Sequence, residues 1–311
     1  SRPNDMTETV AVPPPSKGDS AQGFLFAFSA YFLWGLLPIF LKMVAHIPPM
    51  EVVAHRVVWS VPIAAVVLLL LGRTADVRKA LRSPRTLLLA ALTASLITAN
   101  WGLYVWAIAT DRALDTALGY YINPLVSIAM AAVFLGEKFT RLQLAAVALA
   151  TAAVAVLTIE SGGLPWLSLM IAMTFAVYGF LRKTLPIGPS QGFFLEVLIL
   201  SVPALAYIAW LQWNGQGHFD IGQPENMVLL LACGPVTACP FLLYAFGAKA
   251  LRYATIGIMQ YIAPSMVFIT AVFIFKEPFS RVQAFTFALI WIALALYTWP
   301  MLRGAKVKAV Q

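Results

Sequence analysis

Apolar residues fall along this chain in ten blocks, separated by short polar or basic turns. Each block approaches the roughly 20 residues that an α-helix requires to cross a bilayer. The blocks predict spans at about 22–44, 50–71, 86–109, 116–135, 141–159, 164–182, 190–213, 226–248, 255–275 and 281–302. The first block ends before His46-Ile47-Pro48-Pro49 and lacks a small-residue cleavage site, so it is expected to be a span rather than a removed signal peptide. Thr140-Arg141-Leu142-Gln143 and Ser280-Arg281-Val282-Gln283 each place a hydroxyl at the N-cap and a Gln three residues on, which predicts capped starts for the fifth and tenth helices. Residues 1–21 are polar, carry Pro13, Pro14 and Pro15, and are expected to form a disordered tail, with 303–311 as a second tail.

The polar positions repeat. Tyr121, Ile122, Pro124, Ala131, Glu137, Phe139, Arg141 and Gln143 recur 140 residues later as Tyr261, Ile262, Pro264, Ala271, Glu277, Phe279, Arg281 and Gln283. Upstream, Trp101, Tyr104 and Arg112 stand in register with Phe241, Tyr244 and Arg252. So long a period is no solenoid; it predicts two homologous halves, 22–160 and 161–302, as in transporters built from internal repeats. Five spans per half is an odd number, so the second half enters the membrane from the opposite side and the repeat is inverted. With the N-terminus inside, 16 Lys and Arg fall on the inner side, against Lys42, Arg112, Lys276 and Arg281 outside. That asymmetry predicts two cytoplasmic termini and a multi-pass protein of the cell (inner) membrane.

Composition supports the bilayer as solvent: 61% of residues are hydrophobic, 11% charged, and the mean hydropathy is +0.83, where a soluble protein carries about 25% charged residues. The net charge of +8 does not point to nucleic acid, because the basic residues are strung along loops. Trp166, Trp210, Trp213 and Trp299 lie near span ends and suit an aromatic belt. Cys233 and Cys239, six residues apart on one helix, rise by about 9 Å and cannot form a disulfide; they are expected to be packing residues. His46, His55 and His218 lie in no HExxH motif, and neither a G-x-S-x-G nor a P-loop occurs. No enzyme chemistry, metal, cofactor or direct use of ATP is expected. His218, in the polar 214–225 loop, is expected to be solvated.

The five-plus-five layout resembles the drug/metabolite transporter superfamily in its EamA-type form, as does the Gly136-Glu137 turn after the fourth span, echoed by Lys276-Glu277. Tyr31-Phe32-Leu33-Trp34-Gly35 with Pro38, Glu51 to Arg56 with Trp59-Ser60, Asn100-Trp101, and Gly119 to Pro124 resemble the RarD branch, named for chloramphenicol sensitivity. The resemblance covers about 22–302. It implies a secondary transporter, since relatives export amino acids, aromatic ones included, and other metabolites. The first span lacks the Glu of the related four-helix multidrug antiporters.

In such proteins the substrate site lies near the midplane, beside broken helices. Pro124 and Pro264 occupy one repeat position, Pro62 and Pro203 another; each removes a helical hydrogen bond, and the first pair is the candidate hinge. Around them lie the candidate cavity residues Trp34, Asn100, Trp101, Tyr104, Tyr120, Tyr121, Asn123, Tyr178, Tyr244, Gln260 and Tyr261. Aromatic walls with a few amides suit an amphipathic solute; packing between helices is the competing role of each Tyr. Four ionisable residues fall within spans: Glu51, His55, Arg56 and Glu196. Glu51 and His55, four apart, share a helix face and could pair. A proton relay, pairing across helices, and attraction of a substrate carboxylate by Arg56 all stay open. Export of amino acids leads; efflux of a drug or other metabolite, a channel, and an intramembrane enzyme are the alternatives. The Ala145, Ala146, Ala150 and Ala153 face is expected to pack inside the bundle of a monomer rather than dimerise it.

Overall fold

The apolar blocks fold as helices. The computed structural model of the chain describes residues 20–136, 138, 140–248, 250–251, 256 and 259–308. The tail through residue 19, Glu137, Lys249, Arg252, residues at the start of the ninth predicted span, and 309–311 lie outside the described residues. The helices are α1 (Ala21–Met43), α2 (Pro49–Leu70), α3 (Ala75–Leu81), α4 (Pro84–Ala109), α5 (Ala113–Leu135), α6 (Arg141–Ser161), α7 (Trp166–Arg182), α8 (Pro189–Trp213), α9 (Pro224–Ala248), α10 (Ile262–Ile269), continued by a π-helical turn over Thr270–Ile274, and α11 (Arg281–Lys308). Among the described residues eight helices are long and apolar enough to cross a membrane, and two apolar helices are shorter, Trp166–Arg182 and Ile262–Ile274.

Local chemistry sets the ends. Ser20 accepts from the Gly23 N–H and starts α1 inside the expected tail. Pro stands in the first turn of α2, α4 and α8, where its missing N–H costs nothing. Both expected capping boxes form: Thr140 and Gln143 exchange bonds of 3.0 and 3.2 Å, and Ser280 and Gln283 bonds of 2.9 and 3.1 Å. Gly136, at φ 65°, ends α5 in the left-handed conformation that a side chain would resist. Two boundaries differ from expectation. The basic loop after α2 holds the short helix α3, and α11 continues through Lys308 into the expected second tail.

Packing joins one half of the chain to the other. α2 packs on α8 and α9, α4 on α7 and α8, α1 on α9 and α10, α5 on α7 and α10, and α6 on α11. These pairings map onto one another when each helix is exchanged for its counterpart 140 residues away. Glycines permit close crossings, Gly119 and Gly234 among them. A Cβ on Gly119 of α5 would lie 2.7 Å from the Ser168 carbonyl of α7, and one on Gly234 of α9 would lie 2.5 Å from the Trp59 carbonyl of α2. Ala146, Ala150 and Ala153 of α6 are buried; Ala145 is exposed. Cys233 is buried, Cys239 partly so, and both are free thiols. Apolar side chains such as Leu70, Leu88, Phe134 and Ile159 face outward, as a lipid solvent requires; the four belt tryptophans are exposed, Trp166, Trp210 and Trp213 at or near helix ends and Trp299 inside α11, which runs on past its expected end.

Candidate functional site

At the junction of the two halves α2 carries a buried cation. Arg56 is 2% exposed. Its Nε donates to Thr237 Oγ1 of α9 at 2.9 Å, and its guanidinium lies 4.8 Å from the centre of the Trp101 ring of α4. Its Nη1 has no hydrogen-bond partner among the described residues. No carboxylate pairs with Arg56 there: the ion pairs among the described residues are Lys42–Asp111, Arg112–Asp115, Arg182–Glu196 and His218–Glu51. Tyr104, Tyr120 and Cys233 lie within its electrostatic reach.

Chains of ring contacts lead away from this charge. Trp101 meets Phe241 edge-on at 5.9 Å, Phe241 stacks on Phe193 at 4.8 Å, and Trp34 meets Phe241 at 5.3 Å and Tyr244 at 5.8 Å. On the other side Tyr104 meets Tyr120 at 5.9 Å, and Tyr120 meets Phe175 at 5.7 Å. Helices α1, α4, α5, α7, α8 and α9 each contribute a ring. Of the expected cavity residues, Trp101, Tyr104 and Tyr120 thus lie by Arg56, and Trp34 and Tyr244 join them through Phe241.

The amides serve the helix contacts. Asn100 donates to the Ile171 carbonyl at 3.1 Å and to Thr174 at 3.0 Å, and accepts from the Tyr120 hydroxyl at 2.9 Å. Asn123 donates to the Ala172 carbonyl at 3.1 Å. Both tie their helices to α7.

Tyr121 and Tyr261 stand elsewhere, in an apolar crevice of about 590 Å³ between α5, α10 and α11. Ser265 donates to the Tyr261 carbonyl at 2.6 Å, so the 2.5 Å contact between Tyr121 and Ser265 has the tyrosine as donor. Gln260 lies in the turn just before α10. Pro124 lies inside α5, whereas Pro264 falls in the first turn of α10. Tyr178 donates to Glu196 at 3.1 Å.

The remaining intramembrane charges are paired across elements, and two expectations need correction. Glu51, 1% exposed, does not pair with His55. Its carboxylate accepts from the His218 backbone N–H and contacts the His218 ring, both at 2.7 Å. Glu51 lies in the first turn of α2, where the chain returning from α8 offers two donors in one residue, more than His55 can. His218 is accordingly held rather than free in solvent. His55 instead accepts from Trp59 Nε1 at 3.0 Å, with Phe219 packed 5.3 Å from its ring. Glu196 binds Arg182 Nε at 3.0 Å, and Arg182 also holds the Gly188 and Pro189 carbonyls.

Polar contacts tie together the end of the bundle away from the start of α1. Lys42 pairs with Asp111 and donates to the Ile108 carbonyl, and His46 contacts Asn226 at 2.6 Å. Glu277, between the π-helical turn and α11, caps the first turn of α5 by accepting from the Ala113 and Leu114 N–H groups at 2.7 and 3.0 Å. Burial pushes the Glu277 carboxyl up, and those two donors with Lys42 pull it back. Sequence reasoning singled out Glu277 as half of a repeated turn but not as a cap. Thr237 and Phe193 it missed altogether; Phe241 it flagged only as the counterpart of Trp101.

Residues 21–159 match the EamA-like transporter family. The chain is 40% identical over 291 residues to Protein RarD of Streptomyces exfoliatus, covering 94% of this chain and 92% of that one. It is 37% identical over 284 residues to an uncharacterized transporter of Vibrio cholerae, covering 91% and 94%. A crystal structure of a protein 18% identical in sequence superposes with a TM-score of 0.59 over 91% of this chain and 98% of that one; that likeness concerns the fold alone.

Proposed function

We propose a function from this premise: the chain belongs to the EamA-like transporter family, in its RarD branch. It is a membrane transporter of the drug/metabolite superfamily. In our reading it has ten transmembrane helices in two inverted five-helix repeats, with both termini in the cytoplasm of a bacterial cell and the tied end facing out. It moves small metabolites across the inner membrane by alternating access, and exports amino acids, aromatic ones among them. The reciprocal pairing of helices between halves supports the inverted repeat, and the asymmetry of Lys and Arg supports the orientation.

One observation carries the substrate reading: Arg56 is a buried guanidinium without a carboxylate partner among the described residues, lying over the Trp101 ring. An unpaired charge in a membrane protein is costly and marks a functional group. A planar guanidinium suits a carboxylate, and rings suit an apolar or aromatic side chain. Pro124 and Pro264 act as hinges when the halves rock. A second reading, efflux of an amphipathic drug, draws on the apolar crevice beside Tyr121.

Counterflow in proteoliposomes tests the proposal. Vesicles loaded with unlabelled amino acids should take up labelled phenylalanine, tryptophan or methionine saturably, and Arg56→Gln and Trp101→Ala should abolish that uptake. Folded wild-type protein that exchanges none of them would overturn the amino acid assignment and leave the family standing.

A further inference from the structure

We infer that the Arg56 site is charge-selective: it takes net-anionic monocarboxylates with an apolar or aromatic body in preference to zwitterionic amino acids, and leaves an α-amino group without an anionic partner. This rests on the carboxylate reading above and narrows it.

A substrate must at some stage be enclosed with Arg56, away from water on both sides. A carboxylate paired with one guanidinium gives a neutral complex. A zwitterion in the same place adds no net charge, so the enclosed complex keeps the +1 of Arg56, and burying net charge in a low-dielectric interior is expensive. For an amino acid to be handled as well as its deaminated analogue, the site needs an anionic group for the ammonium.

The described residues around Arg56 supply none. Glu51, five positions earlier, has both oxygens on His218. Glu196 has its charge matched by Arg182, which binds Oε1 together with Tyr178; its Oε2 is buried without a partner among the described residues, but the Arg182–Glu196 pair is already neutral and offers no free negative charge. Asn100, whose carbonyl oxygen could accept from an ammonium, already accepts from Tyr120. A cation can also rest on an aromatic face, but Arg56 already lies over Trp101, and Phe241 is stacked on Phe193. Pro240, inside α9, leaves the Val236 carbonyl without its helical donor. That carbonyl is a dipole beside Thr237; it can accept a hydrogen bond but cannot cancel a charge.

The test uses wild-type protein in proteoliposomes and three ligands of one shape: phenylalanine, 3-phenyllactate and 3-phenylpropionate. They share a carboxylate and a phenyl ring and differ in the group on the α-carbon. Competition against labelled phenylalanine counterflow and direct uptake of labelled phenyllactate are both measured. We expect the two anions to half-inhibit at concentrations at least tenfold below phenylalanine, a difference of about 1.4 kcal/mol. We also expect uptake of phenyllactate to be lost in Arg56→Gln. Phenylalanine acting at equal or lower concentration than both anions overturns the inference while the carboxylate reading stands. Silence of all three ligands with folded protein overturns the carboxylate reading, and the inference with it. Phenyllactate uptake that survives in Arg56→Gln also overturns it, because the selectivity then has another source.

Discussion

Gly234 lets α9 lie against α2 one helical turn from the candidate site. A Cβ placed there would stand 2.5 Å from the Trp59 carbonyl oxygen, 2.7 Å from Trp59 Cβ and 2.8 Å from the Trp59 carbonyl carbon. Ordinary contact at such a position begins at 3.4 Å, so Gly234→Ala forces the helices apart by about 0.9 Å. Two of the three obstacles are backbone atoms inside a helix, so no rotamer change relieves the clash. Overpacking of this kind costs about 1–3 kcal/mol, more than the roughly 1 kcal/mol that Ala gains over Gly in a helix. The displacement also stretches the Arg56–Thr237 bond, now 2.9 Å, to about 3.8 Å if Thr237 moves with Gly234, beyond hydrogen-bonding range. The variant should therefore melt a few degrees lower in detergent and lose affinity for any carboxylate that Arg56 binds. Gly102→Ala and Gly179→Ala are the controls: both glycines lie within helices, and nothing stands within 4 Å of a Cβ at either. They should be neutral or slightly stabilising. A Gly234→Ala protein that melts and transports like wild type would refute the reasoning, because the crossing would then not depend on the missing Cβ.

Glu277→Ala leaves the Ala113 and Leu114 N–H groups buried without acceptors; at about 1–3 kcal/mol for each, thermal unfolding in detergent should shift clearly downward, and cysteines introduced near the start of α5 should become more reactive to a membrane-impermeant maleimide. Arg182→Ala strands the Glu196 carboxylate, 2% exposed, at about 3–5 kcal/mol; adding Glu196→Gln should recover part of that loss, which a double-mutant cycle of melting temperatures measures. Thr140→Ala and Ser280→Ala each remove one half of a capping box and should cost about 0.5–2 kcal/mol of stability, with the half-saturation constant for transport unchanged.

The helices were legible in the sequence because a bilayer allows a chain few options: backbone groups must be satisfied within the segment, and a span needs a minimum length. The capping boxes were legible because each is a contact over three residues. Partners were not. Arg56 meets Thr237 across 181 positions, and Glu51 meets His218 across 167. Nothing local separates Thr237 from the other small residues of α9, and a histidine in a polar loop has the sequence signature of a solvated one. The 140-residue register nevertheless holds one piece of long-range information. It aligns Trp101 with Phe241, and the folded chain brings these two rings edge to face at 5.9 Å.

That contact bears on where selectivity can arise. In the proposed inverted repeat, two residues related by the repeat touch only close to the axis relating the halves, which puts Trp101 and Phe241 near it, where α2, α4, α8 and α9 pack on one another. A metabolite has no twofold symmetry, and a site that orients one must break the symmetry of its scaffold. The break falls on α2 and α8. Alignment of Ser60-Val61-Pro62 with Ser201-Val202-Pro203 sets Arg56 opposite Val197, and both are buried. A guanidinium faces the junction from one half and an isopropyl group from the other. Under the proposal, the repeat supplies the scaffold, and the departure from it at Arg56 supplies the inferred preference in substrate charge. An inward Val197→Arg change would restore the symmetry and place two like charges at the junction, so it should be far more damaging to folding than Val197→Leu, a comparison that yield and melting temperature in detergent would decide.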